Sequence, residues 1–279
     1  MIMAKLDDSK HIHHHRRHFA YSYPVSASQK FYRIVVIPIA IIVVLFVVLK
    51  IFSSSSFINP VGNVFGYWLM AILATFMRLF FAYCLALVVA LPLAFLIYYS
   101  PHAERVLLPI YDIIESVPVL AFFPVIILFF VRFNFFEGAA VFVIFLGMLW
   151  NIVFSVVGGL KSIPADIKSA AQVFNLRGMA LVREVLLPAI FPNIITGSLL
   201  AWAQGWNIII VAEVLHTYIP GGVASQDLFG VGSILVSAST SNQGNIFLTA
   251  ILVMVAAIGL MNFFVWQKLL QYAERYKFE

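Results

Sequence analysis

Long apolar runs separated by short polar stretches set the pattern of this chain, and one polar island interrupts that pattern for far longer than the others. Residues 34–51 make about 18 largely apolar positions, roughly 27 Å as a helix, which is enough to cross the hydrocarbon core of a bilayer. The next apolar stretch, 64–99, is too long for one crossing. We place its span at 75–98 and read the Trp68 end as lying at headgroup level, where aromatic rings anchor. Further spans are predicted at 117–131, with kinks at Pro118 and Pro124, and at 138–157, 194–215 and 246–266. Residues 100–112 read as a short polar connection and 132–137 as a turn. The pattern therefore specifies an all-α, polytopic membrane protein of about six transmembrane helices.

The island runs over 158–192 as GGLKSIPADIKSAAQVFNLRGMALVREVLLPAIFP. Ile163, Ile167, Ala170, Ala171 and Phe174 recur at helical spacing on one stripe, with Asp166, Lys168, Ser169 and Gln172 around the rest of the wheel. Ser162 is placed to cap this helix, and Pro164 is tolerated in a first turn, whose amides have no intrahelical partner. Asn175 and Gly178 end it, because both accept a left-handed backbone. A second short helix, 181–187, runs into Pro188 and Pro192. The prediction is a helix-turn-helix at a membrane surface, with apolar residues left over for a partner.

Composition sharpens the class. Of 279 residues 63% are hydrophobic and only 10% charged, and the mean hydropathy is +1.01; a soluble domain carries about a quarter charged residues. The sequence pI near 9.3 does not point to nucleic acid, because the basic residues are spread through loops rather than grouped on one domain. They choose a side instead. Lys5, Lys10, Arg16, Arg17, Lys30, Arg33, Arg105, Lys161, Lys168, Arg177, Arg183, Lys268, Arg275 and Lys277 fall on the side of the termini and the island, against Lys50 and Arg132 opposite. The termini and the island are therefore expected in the cytoplasm. Because the first apolar run begins after a polar stretch and continues at spanning length, we read it as a retained span rather than a cleaved signal. Cys84 is the only cysteine, so no disulfide framework or cysteine metal site is expected. The His11–His18 cluster has no cysteine partner around it and reads as a solvated tail, with metal binding the alternative.

Little in the chain can do covalent chemistry. Gly158-Gly159-Leu160-Lys161-Ser162 is the nearest approach to a phosphate-binding loop, but Leu160 and Ser155 stand where glycines are needed to wrap a phosphate. There is no His-Glu-x-x-His helix and no nucleophile elbow, so an enzyme is not expected and any ATP must be hydrolysed by another chain. The polar residues of the fifth span matter more. Trp206 and Glu213, seven apart, share one face; Gln204 and Asn207, about 60° apart, share roughly the opposite one. One face packs and the other lines a path, and the pattern leaves open which. Gln204 and Asn207 serve either interhelical hydrogen bonding or a path. Glu213 serves pairing or capping, and Arg78 either pairs with a carboxylate such as Glu213 or attracts an anion.

The island resembles the cytoplasmic loop of permease subunits of ATP-binding-cassette importers, which reads E-A-A-x-x-x-G and, after a spacer, I/V-x-L-P. Ser169-Ala170-Ala171 stands at the first motif, Asn175 at its glycine and Val185-Leu186-Leu187-Pro188 at the second; Ser169 and Asn175 depart from the pattern. Over roughly 75–264 the chain is similar to the nitrate/sulfonate/taurine branch, through Thr75-x-x-Arg78, Ser116-Val117-Pro118, Val211-Ala212-Glu213 and Gly230-Val231-Gly232. The resemblance implies a type I importer permease core in the prokaryotic plasma membrane. It divides the chain into a basic cytoplasmic tail (1–33), a first transmembrane helix with its outer connection (34–70), the core (71–270) with coupling loop 158–192, and a cytoplasmic tail (271–279). It implies a small solute, an oxyanion or sulfonate. The expected partners are ATPase subunits that bind ATP and magnesium, a second permease subunit of the same or a homologous chain, a binding protein outside and the bilayer. The ATPase-docking residues expected are Ser169, Ala170, Ala171, Phe174, Asn175, Gly178, Leu187 and Pro188; Arg78, Gln204, Trp206, Asn207 and Glu213 are expected along the translocation path. The loop over 216–245, free of Lys and Arg, is expected to cap the path where the binding protein docks, with a plain packed loop the alternative. An ion-coupled secondary transporter or channel, and a non-transporting scaffold, are the competing readings.

Overall fold

The computed structural model describes residues 64–276, all within the larger of the chain's two units, 40–279. The predicted first span and the histidine-rich tail lie outside the described residues. Ten α-helices follow in order. They are α1 Val64–Tyr99, α2 Pro101–Ser116, α3 Phe123–Val131, α4 Phe136–Ser162, α5 Ala165–Val173, α6 Gly178–Leu181, α7 Leu187–Ala212, α8 Val231–Thr240, α9 Gly244–Met261 and α10 Gln267–Ala273. No strand occurs among the described residues. Four helical stretches are long and apolar enough to cross a membrane, and a fifth is added if the bent pair α2–α3 counts as one span.

Two boundaries differ from expectation, the first because a helix lying in an apolar medium carries no polar punctuation where it enters or leaves, the second because charged positions interrupt an apolar helix. The stretch divided at Thr75 is one unbroken helix, α1, about 54 Å long at 1.5 Å per residue. The supposed polar connection 100–112 is the helix α2, started by Ser100, whose Oγ accepts from the Ala103 amide, and by Pro101. Its charged positions Glu104, Arg105, Asp112 and Glu115 had masked an apolar majority. The break comes instead at Val117, which is extended (φ −83°, ψ 125°) as the residue before a proline must be, and α3 leaves at 85° to α2.

The core is built around α4, which packs between α1 and α7. On α1 the buried residues Ala82, Ala86, Ala90 and Ala94 recur every fourth position and let α4 approach closely. Between α4 and α7 the same is done by glycine: a Cβ on Gly147 would stand 2.2 Å from Ile208 Cδ1, and one on Gly205 2.2 Å from Met148 Cε. A second, smaller cluster joins Ala71 of α1 to Val231 and Ile234 of α8 and Ala250 of α9.

One end of the bundle is basic. There Lys161 at the close of α4 bridges Glu104 at the start of α2 (2.6 Å), and Lys168 of α5 lies over the Tyr98 ring (5.4 Å) near the end of α1. Arg105, Arg177, Arg183, Lys268 and Arg275 belong to the segments that meet at this end. The opposite, far end holds the start of α4, the close of α7 and the start of α8.

Candidate functional site

At the far end a buried polar cluster fastens four elements. Arg78, 3% exposed, comes from α1. Its Nε and Nη2 donate to the two oxygens of Glu137 at the start of α4 (2.6 and 2.8 Å), a bidentate pair. Its Nη1 donates to Glu213 Oε1 (2.8 Å) and to the Phe229 carbonyl (2.9 Å). Glu213, fully buried, follows α7 directly and also accepts from Thr75 Oγ1 (2.7 Å), Gly232 N (2.7 Å) and Ser233 N (3.3 Å). Thr75 Oγ1 in turn accepts from Val231 N (2.9 Å). The first three amides of α8, which have no intrahelical partner, are thus satisfied by Thr75 of α1 and by the carboxylate that closes α7.

The charges balance in the same way. Two carboxylates flank one guanidinium, and the excess negative charge sits where the aligned peptide dipoles of α8 favour an anion. Approach this close needs bare backbone: a Cβ on Gly230 would lie 2.2 Å from the Glu213 carboxylate, and one on Gly232 2.8 Å from Glu213 Oε2. The structure thus joins Arg78 to Glu213, one of the two roles open to each in the sequence. Glu137 and Thr75 complete the cluster; Glu137 had read as part of a turn, although a carboxylate opening one span while an arginine sits inside another was a signal.

The α7 face left open by the sequence is distributed as follows. Trp206 and Glu213 are buried, whereas Gln204 and Asn207 are exposed, on a stripe with Thr196, Leu200 and Ala203. Neither amide has a hydrogen-bond partner among the described residues. Bare amides within an apolar span are costly against lipid, so this face suits water or another protein surface.

At the basic end α5 follows Pro164, which caps it with no side-chain bond; Ser162 instead ends α4 and donates to the Gly159 carbonyl (2.9 Å), so its predicted capping role is not observed. The proline had already set the turn. The helix stops at Phe174, and Asn175 (φ +54°) and Gly178 (φ +55°) take the left-handed turn expected of them. The second helix is not separate: α6 passes through a π turn, Val182–Leu186, straight into α7. Pro188 accounts for this, because it offers no amide to the Glu184 carbonyl, and the Leu187 amide reaches back to Val182 instead.

Of the residues expected to dock an ATPase, Ser169, Ala170, Phe174, Asn175 and Gly178 are exposed and Leu187 and Pro188 half-buried, but Ala171 is only 3% exposed and faces inward. Phe174 (76% exposed) stands beside Val173 (83%), which the sequence reading passed over. A groove of about 440 Å³ runs alongside, lined by α5, the start of α7 and the end of the last helix.

Comparison with known proteins places these features. The family described as the binding-protein-dependent transport system inner membrane component matches residues 82–271. The chain is 31% identical over 195 residues to the nitrate import permease protein NrtB of Leptolyngbya laminosa, covering 70% of this chain and 64% of that one. It is 26% identical over 196 residues to the bicarbonate transport system permease protein CmpB of Synechococcus elongatus (70% and 66% covered). It is 28% identical over 182 residues to the putative aliphatic sulfonates transport permease protein SsuC of Bacillus subtilis (64% and 61%). The chain thus spans somewhat under two thirds of each of these three relatives. With the match running from the middle of α1 to α10, across the interrupted loop and the exposed α7 face, this chain belongs to the family of binding-protein-dependent transport system inner membrane components.

Proposed function

We propose that the chain is the permease subunit of an ATP-driven importer for a small anion, and that a separate ATPase docks on α5. The observation that carries the reading is the exposed apolar pair Val173–Phe174, held out by the Asn175 turn at the basic end. By the excess of Lys and Arg that end faces the cytoplasm, where bare apolar side chains call for a protein cover. Because α5 is joined by the short Asn175 turn to α6, and α6 runs through the π turn into α7 without a break, displacement of α5 by a closing ATPase is passed on to α7, which tilts as a rigid rod.

The solute path runs along the Gln204–Asn207 face of α7, opposite the same face of a second permease subunit. Arg78, Trp206 and Glu213 form the supporting wall behind it. With four of its five N–H donors engaged and two carboxylates beside it, Arg78 offers no free positive charge to a passing anion. The relatives named for nitrate, bicarbonate and sulfonates support an anionic solute. On this reading selection among anions rests with an external binding protein, and the path supplies neutral amides.

The test is recovery of the chain from its native membranes, with co-purifying ATPase activity as the readout, against a variant carrying Val173→Asp and Phe174→Asp. Both side chains are largely exposed, so the variant is expected to retain its fold. ATPase activity that accompanies the native chain and is lost with the variant supports the reading. A native chain that brings no ATPase under conditions preserving complexes sinks it in favour of an ion-coupled transporter or a scaffold.

A further inference from the structure

The groove beside α5 is not made by the coupling segment alone. Ala171 and Leu176 contribute from that segment, Pro188 and Ala189 from the start of α7, and Arg275 and Tyr276 from the end of the last helix close the remaining side. That last turn is seated by rings: Phe191 of α7 lies 5.7 Å from Tyr272 and 5.3 Å from Tyr276, centroid to centroid. The groove is apolar apart from Glu184 and Arg275, and its volume of about 440 Å³ falls in the range that encloses a small organic group. Along the segments that form it, Lys168, Arg177, Arg183, Lys268 and Arg275 outnumber Asp166, Glu184 and Glu274. Neither Arg177, Arg183 nor Arg275 is in an ion pair among the described residues.

We propose that docking is reciprocal: while Val173 and Phe174 enter the ATPase, an apolar side chain of the ATPase, on a segment bearing carboxylates, seats in this groove against Arg275 and Tyr276. The inference rests on the docking reading above. Phe174 both belongs to the exposed pair and lines the groove, so a body that covers it also covers the groove's mouth. The basic excess selects a partner surface of opposite sign, which steers encounter and fixes register. The consequence is that the ATPase grips the last helix as well as α5.

The experiment compares the native permease–ATPase complex with four further variants, each checked for membrane insertion and unchanged thermal unfolding. Ala170→Trp fills the groove from its exposed wall, Arg275→Glu reverses the charge, and Arg275→Lys keeps it. The first two are expected to lower co-purified ATPase activity by about tenfold, the scale of losing a well-placed interface residue, and the third to keep most of it. In a Tyr276→Cys variant, a membrane-impermeant maleimide is expected to react more slowly when the ATPase is bound than after it is stripped. If the Val173→Asp, Phe174→Asp variant retains the ATPase, the docking reading itself fails. If that variant loses it while Ala170→Trp and Arg275→Glu retain it in full, and Tyr276→Cys labels equally fast in both states, docking stands and the reciprocal seat is overturned.

Discussion

Arg78 is the cation that pairs both carboxylates, Glu213 fully buried and Glu137 partly so, and its removal leaves the Glu213 charge to neutral donors alone, so it costs more than the loss of its own bonds. Arg78→Ala is expected to destabilise the chain by about 3–5 kcal/mol, the range for breaking a buried ion pair from one side. Arg78→Lys recovers little, since a lysine cannot reproduce the planar bidentate fork on Glu137 while also reaching Glu213. Glu137→Gln, at the more exposed edge of the cluster, is expected to cost clearly less. Thermal unfolding of the purified chain in detergent ranks the three, and an Arg78→Ala variant as stable as Glu137→Gln contradicts the geometry. On the open face of α7, Gln204→Leu with Asn207→Leu is expected to leave unfolding and ATPase co-purification unchanged, because neither side chain is bonded among the described residues. Uptake into proteoliposomes is expected to fall, because an anion then passes an apolar wall; undiminished uptake places the path elsewhere.

Among the elements, the π turn at Val182–Leu186 joins the docking segment to α7 and owes its register to Pro188. Pro188→Ala supplies an amide for the Glu184 carbonyl, which favours ordinary α geometry and turns α5 and α6 relative to α7. We expect stability to be kept or slightly raised and solute moved per ATP hydrolysed to fall, both read in the same proteoliposomes. Equal coupling in native and variant chains removes the turn from the transmission route. The elements also show what could be read in advance. The amphipathic stripe of α5 and its Asn175 turn were legible because a helix at a surface alternates polar and apolar positions. The ends of α1, α4 and α7 were not, because a helix surrounded by apolar neighbours shows no such period. The identity of α2 was hidden by four charged positions, and Ala171 was placed on the docking face because its stripe faces protein rather than partner. Arg78 and Glu213 were visible as costly residues, but Glu137 and the α8 amides join them only through the fold.

At the scale of the whole molecule, the polar fastening at the far end and the mixed basic and apolar surface at the other are connected by the rigid lengths of α4 and α7. Lys161–Glu104 is exposed and contributes little, and Lys168 over Tyr98 adds about 0.5–1 kcal/mol; the fastening that resists distortion is at the far end. The fastening also has a history in the making of the protein. Arg78 meets Glu137 only after 59 further residues and Glu213 only after 135. A chain emerging from the ribosome therefore commits an unpaired arginine to the membrane well before either partner exists. Nascent chains stopped short of residue 137 are expected to hold α1 loosely at the translocation machinery, and those extended beyond residue 233 to release it into the bilayer. Site-specific crosslinking of stalled chains would show that step, and with Arg78→Leu the release is expected to come early.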